Sequence, residues 1–396
     1  MPDDRHAHPG DERWARRPRP GDRSNEPRRD RALHDGGGGF VMRVRLEPRL
    51  TDPSLPAYAL RVALGIGLAL ALSAGLLALS DHPPASVLDS LLRGAFGSWT
   101  AVQSTLTKAV PIGLCAVGIA LASRANLTNI GAEGQFFFGA FAATGVGLSL
   151  PEETSHPVAV ALVLGAGVFG GAAWAALAAI PRALLGMSEI LTTLMLNYIC
   201  LLWINFLVRG PWADPLTFSF PYSPPILDAG QLGPVSGAIQ GGFPFLLIAI
   251  ALLAVIDAGT RWGYELRVAG DAPEAARYGG INAAWIVISG LCASGALAGL
   301  AGAIEISATT GRLQTGLSPG YGFMGVLVAW LAGGRPLPIL LVSILYAGLL
   351  NGGFSLQIAH IPGAISTILQ ATILVCILGA GSLARYRIRL VRNAAA

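Results

Sequence analysis

The sequence predicts an all-α polytopic membrane protein with about ten transmembrane helices and both termini cytoplasmic. Three observations predict it. The chain of 396 residues is 53% hydrophobic and only 13% charged, with a mean hydropathy of +0.57, whereas a soluble domain carries about a quarter charged residues. The charges crowd into the first fifty positions, and the rest divides into apolar runs of about 20 residues, the length that crosses a bilayer. Arginine then alternates between the connections, as cytoplasmic loops require. The net charge of +4 is mostly arginine on that side and calls for no nucleic-acid partner. Cys115, Cys200, Cys292 and Cys376 lie in apolar segments without a C-x-x-C pair, so neither a disulfide frame nor a zinc site is indicated.

Taken in order, residues 1–50 are polar and rich in Arg, Asp, Pro and Gly, and are expected to be a disordered cytoplasmic segment. Met42, followed by Arg43, Arg45 and Arg49, is an ordinary cytoplasmic start, so residues 1–41 are expected to be dispensable. The transmembrane domain covers 58–380, with apolar spans at roughly 58–80, 102–122, 127–150, 157–180, 189–208, 243–258, 283–306, 320–333, 336–352 and 362–380. A basic cytoplasmic tail, 381–396, follows with Arg385, Arg387, Arg389 and Arg392. The inner loops then hold Arg124, Arg182, Arg261, Arg267, Arg277 and Arg335. The outer loops hold Asp81, Glu152, Glu153, Asp214 and Asp228, with Arg93, Arg209 and Arg312 as exceptions.

The 320–333 span is short and glycine-rich, which suits a broken or re-entrant element. Gly134, Phe137, Gly139 and Ala143 recur at the spacing of Gly320, Phe323, Gly325 and Ala329, in a segment running the opposite way, as an inverted repeat would require. The outer loop 209–242 carries prolines and aromatics and reads as a stiff surface structure.

The stretch Asn129-Ile130-Gly131-Ala132-Glu133-Gly134-Gln135 puts a carboxylate and amides at the mouth of an apolar segment. Such groups usually face a bundle interior or a water-filled cavity, which makes Asn129, Gly131, Glu133 and Gln135 candidates for a substrate pathway. The plainer reading is a helix start with an acidic first turn and glycines at a helix crossing. Farther on, Glu189, Thr192, Thr193 and Asn197 are polar at helical spacing. The threonines read as hydrogen bonds between helices, while Thr193 and Asn197, sharing one face, are also pathway candidates. Asn351 is a further candidate, with Gln357 and Gln370 weaker ones; Glu305 reads as an interfacial charge.

No enzyme constellation appears. The single lysine, Lys108, is followed by Ala109, so there is no Walker A site. The chain is expected to bind no cofactor or metal; ATP and Mg²⁺, if used, belong to a separate ATPase. In the inner loop 259–282, Asp271 suits a helix cap, Pro273 a first helical position, and Gly279-Gly280 a helix end. The short helix between them is shaped either to dock on something cytoplasmic or to lie solvated.

The motif N-I-G-A-E-G-Q, the run Ser188 to Tyr198, and the loop G-D-A-P-E-A-A-R-Y-G-G-I together resemble ABC-importer permeases over about residues 58–380. The closest likeness is to the simple-sugar and nucleoside branch, related to ribose and branched-chain amino acid permeases. The form with Glu133 and Gln135 resembles the nucleoside-type subunit. The resemblance implies that the E-A-A helix sits in a cleft of an ABC ATPase, with Arg267, Glu274, Ala275, Ala276, Arg277 and Gly280 as coupling residues. It also implies a second related permease subunit and an extracytoplasmic substrate-binding lipoprotein as partners, in the cell membrane. The expected function is therefore nucleoside import driven by a separate ATPase. Import of ribose or another simple sugar is the alternative within the family, and a stand-alone secondary transporter or channel is the alternative outside it.

Overall fold

The computed structural model describes residues 40–48, 83–217, 220–234, 239–358 and 386–394, with short helical stretches between 67 and 77 and between 364 and 379. Residues 1–39, most of the expected span 58–80 and part of the expected span 362–380 lie outside the described residues. The chain divides into two compact units, Met1–Leu50 with Tyr386–Ala396, and Thr51–Arg385. In the first, β1 (Phe40–Pro48) pairs antiparallel with β2 (Tyr386–Ala394), Met42 opposite Arg392. The sequence reading assigns no regular element to either segment.

The second unit is helical. Its named helices are α1 (Pro84–Phe96), α2 (Trp99–Ser123), α3 (Ala132–Ser149), α4 (His156–Leu185), α5 (Glu189–Arg209), α6 (Phe243–Gly259), α7 (Arg261–Asp271), α8 (Pro273–Tyr278), α9 (Ala283–Glu305), α10 (Tyr321–Leu331) and α11 (Pro336–Ile358). Among the described residues five helices are long and apolar enough to cross a membrane: α2, α4, α5, α9 with the π-turn Ile306–Thr310, and α11. A sixth arises if α6 and α7, bent by 73° at Thr260, count as one. The helix α1 corresponds to none of the expected spans. α10, with 11 residues, is about 16 Å long, roughly half the hydrocarbon thickness.

Local chemistry sets these boundaries. Ser98 caps α2, its hydroxyl accepting from Ala101 N; Asn282 caps α9 by accepting from Trp285 N. The helix α4 ends at Gly186 in the left-handed region, φ 67°. The bend at Thr260 is fixed because its hydroxyl accepts from Gly263 N at 3.0 Å and starts α7 in a new direction.

Burial ranks the helices. In the apolar window of α2, 83% is buried, against 28% in that of α5, so α2 is central and α5 peripheral. α4 and α9 meet through small residues spaced four apart, Gly167 and Gly171 against Gly295 and Gly299. A Cβ on Gly299 would run into the Gly167 carbonyl, and one on Gly171 into the Gly295 carbonyl. Without side chains between them the backbones approach closely, which is how membrane helices gain contact when no hydrophobic drive separates protein from lipid.

Candidate functional site

After α2 the chain turns at Asn126, the one described non-glycine residue with positive φ, 55°, a conformation asparagine tolerates. Residues 127–130 have no regular structure, and helix begins only at Ala132. The span expected from 127 therefore starts later, and its entry segment exposes backbone groups that need partners inside the bundle.

The predicted motif supplies them. Asn129 is wholly buried. Its Nδ2 donates to Gln135 Oε1 at 2.7 Å and to Ser294 Oγ of α9 at 2.8 Å. Its Oδ1 accepts from Gly131 N at 3.0 Å and from Gln135 Nε2 at 3.2 Å. On α5, Asn197 spans the same junction. Its Oδ1 accepts from Gly134 N at 2.8 Å and its Nδ2 donates to Ile130 O at 2.9 Å. One turn on, Cys200 Sγ donates to Gly134 O at 3.2 Å. Interhelical hydrogen bonds in membranes average about 0.6 kcal/mol each, so the network's main effect is to fix one register of α3, α5 and α9. Gly131 is where Thr193 comes closest: a Cβ there would lie 2.7 Å from the Thr193 Cβ.

Glu133 is 3% exposed, and its Oε2 accepts from Gly322 N at 2.7 Å. Gly322 lies in the first turn of α10, whose start is also capped by Ser318, the hydroxyl accepting from Gly320 N and Tyr321 N. The helices α3 and α10 thus begin at the same place and run apart. α3 leads toward Trp212 and Ile226 of the 210–242 connection, and α10 toward Gly334 beside Arg124. These are the two segments whose glycines and aromatics echo in sequence. The carboxylate faces the positive ends of both helix dipoles, which favours it there.

Two expectations are corrected. The threonines do not join helices: Thr192 Oγ1 donates to Ser188 O and Thr193 Oγ1 to Ile190 O, both within α5. A hydroxyl one turn from its own helix carbonyl reaches it before any neighbour does. Glu305 does not face the surroundings as a simple interfacial charge would, since it is 5% exposed within the bundle at the end of α9.

Asn351 is not brought to the motif. It lies on α11, where Nδ2 donates to Gly94 O, Ala101 O and Thr105 Oγ1 at 3.0, 3.2 and 3.3 Å, tying down α1 and α2. Its Oδ1 accepts from Lys108 Nζ at 3.1 Å, and that ammonium stands 4.1 Å from the centre of the Phe354 ring.

The 259–282 region is helical as expected, with one correction. Asp271 is the last residue of α7, and Ala272 occupies the cap position of α8 without a side-chain hydrogen bond. Pro273 starts α8, and Gly280, φ 75°, ends the turn after it. Only Ala276 of α8 is buried; Glu274, Ala275, Arg277 and Gly280 are exposed, and Tyr278 is 91% exposed. Arg267 is placed differently. It lies on α7 and points to α6, donating from Nη1 to Asp257 O at 2.7 Å. Asp257, with Ser294, Ser318 and Gly322, belongs to the residues that sequence reasoning missed. A lone carboxylate closing the apolar run of α6 was its only signal.

The family profile described as branched-chain amino acid transport system / permease component matches residues 101–378. The glucose ABC transporter permease protein TsgB13 of Haloferax volcanii is 32% identical over 360 residues, 87% of this chain and 93% of that protein. The guanosine ABC transporter permease protein NupP of Bacillus subtilis is 30% identical over 335 residues, 83% and 94% of the two chains. The nucleoside ABC transporter permease protein NupB of Lactococcus lactis subsp. cremoris is 29% identical over 299 residues, 72% and 81% of the two. No solved structure matches the chain.

Proposed function

Because this chain belongs to the branched-chain amino acid transport system permease family, in the simple-sugar and nucleoside branch of ABC-importer permeases, we propose that it carries nucleosides across the plasma membrane for an importer driven by a separate ATPase. The observation that carries the coupling half of this reading is α8. It is a short helix, exposed but for Ala276, with opposite charges at Glu274 and Arg277 and with no nucleotide-binding motif elsewhere in the chain. Such a surface is useful to a chain whose energy source is another protein. In this reading ATP and Mg²⁺ reside on that ATPase, and an extracytoplasmic lipoprotein delivers substrate to the 209–242 connection.

The path itself is proposed to run between this chain and a second, related permease. The outward face of α5, with Leu191, Met195, Tyr198 and Leu202 all more than half exposed, is apolar and unpartnered among the described residues. Asn197 and Thr193 occupy the opposite, buried face, and with Asn129, Gly131, Glu133 and Gln135 they hold α5 and α3 in position for that path.

The nucleoside assignment is supported by the Glu133 and Gln135 form of the motif. The glucose relative favours a second reading, import of a simple sugar. Uptake of radiolabelled guanosine by cells expressing the complete transporter separates them. Saturable guanosine uptake that excess unlabelled glucose leaves unchanged is expected; glucose uptake with no guanosine uptake establishes the sugar reading instead.

A further inference from the structure

Three charged side chains lie together where α2, α6, α7 and the turn after α10 converge. Arg124, directly after α2, donates from Nη2 to Asp257 Oδ2 and to Gly334 O, both at 2.7 Å. Arg267 of α7 approaches Asp257 Oδ1 only to 3.7 Å. Arg124 and Asp257 are each 22% exposed at the side chain. Two of the cluster's atoms, Arg124 Nε and Asp257 Oδ1, are buried with no hydrogen-bond partner among the described residues. Partly buried charges normally complete their hydrogen bonds. A small shift of α7 toward α6 would complete one here by closing the gap between Arg267 and Asp257. α7 also touches the chain a second time, because Gly270 lies flat against Arg124 O and Asn126 N with no room for a Cβ.

The cluster therefore joins α7, which leads directly into α8, to two routes toward Glu133. One runs through Gly334 and up α10, whose first turn ends on the Glu133 carboxylate. The other runs through Arg124 and Asn126 to the irregular residues before Asn129. An 11-residue helix held by a hydrogen bond at each end transmits displacement rather than absorbing it.

We propose that Asp257 is the positioning residue for energy coupling: movement of the α7–α8 unit closes Arg267 onto Asp257 and is passed by Arg124 to α10 and the Asn129–Gln135 motif. This rests on the reading of α8 as the ATPase contact. The test uses the whole transporter, with co-purification, melting temperature, ATP hydrolysis and uptake measured together. The uptake probe is labelled guanosine or glucose, whichever the wild type takes up. Asp257→Asn should leave the ATPase bound and hydrolysing while uptake falls about tenfold, the scale of one charge-assisted hydrogen bond. Asp257→Glu, which keeps the charge, should recover most of the uptake. Uptake at the wild-type level in Asp257→Asn overturns the proposal, as does a loss of melting temperature and hydrolysis in an assembled Asp257→Asn transporter without recovery in Asp257→Glu. Should Asp257→Asn not assemble at all, Arg267→Gln decides, since that side chain is 37% exposed and removes one partner only; undiminished uptake there is equally fatal. A wild-type chain that binds no ATPase refutes the assignment of α8 and with it the coupling role of Asp257, whereas undiminished uptake in Asp257→Asn with the ATPase bound refutes the role of Asp257 alone.

Discussion

The Glu133 carboxyl oxygen accepts the Gly322 backbone N–H at 2.7 Å, so a single side chain serves the first turns of two helices 189 positions apart in sequence. Two helix starts brought together repel through their dipoles, and each exposes N–H groups with no intrahelical partner. The buried carboxyl group answers both problems.

Removing it should therefore loosen α10. Glu133→Ala is expected to cost the purified complex about 1–3 kcal/mol, the cost of orphaning a buried donor. Glu133→Gln should cost less, because its carbonyl oxygen still accepts. Thermal melts of both variants check this. An unchanged melting temperature for the alanine variant would mean that the Gly322 bond holds nothing.

Filling the seam between α4 and α9 should be worse than its chemistry suggests. Gly299→Ala adds one methyl group, yet that methyl meets the Gly167 carbonyl and, 2.8 Å away, the Gly171 Cα. Overpacking of this kind costs about 1–3 kcal/mol. Gly165→Ala on α4, where nothing lies within 4 Å, is the control and should be silent. The yield of monodisperse protein after detergent extraction compares the two.

Much of this was legible in the sequence, and the exceptions have physical causes. Amides and a carboxylate among apolar residues announce themselves, so Asn129, Glu133, Gln135 and Asn197 stand out without a structure. Their partners do not, since Ser294 lies 165 positions from Asn129 and no local pattern links them. The late start of α3 was hidden because Leu127 and Ile130 suit a helix by hydropathy, and only bonds to other helices, such as Asn197 Nδ2 to Ile130 O, keep the segment out of one. The cap of α8 was misplaced by one residue because Asp271 is drawn into the end of α7. Gly279 and Gly280, by contrast, ended their helix as their flexibility predicts.

Reversing the charges on α8 should separate insertion from coupling. Glu274→Arg combined with Arg277→Glu changes exposed side chains only. Membrane abundance should match the wild type, while like charges across the docking surface cost several kcal/mol and release the ATPase. Co-purification with a tagged ATPase reads this directly. Retention at full yield with normal uptake would favour a carrier that works alone.

Loss of the Asn351 amide should act on a different part of the bundle. Asn351→Ala leaves Lys108 Nζ without its 3.1 Å acceptor and frees the carbonyls of Gly94 and Ala101. The expected result is a cost of about 1–2 kcal/mol and faster protease cleavage near Gly97, with unchanged ATPase binding. Cleavage at the wild-type rate would show that α1 is held by its apolar contacts alone.

The glycine seam also decides which parts of the transporter can move. Side-chain interfaces slide by changing rotamers, but Gly167, Gly171, Gly295 and Gly299 have none to change. Backbone pressed on backbone has one good alignment, and leaving it means lifting the helices apart. α4 and α9 are therefore expected to act as a stator, one block through the proposed transport cycle. In the proposed coupling, displacement is therefore expected in the helices outside that block.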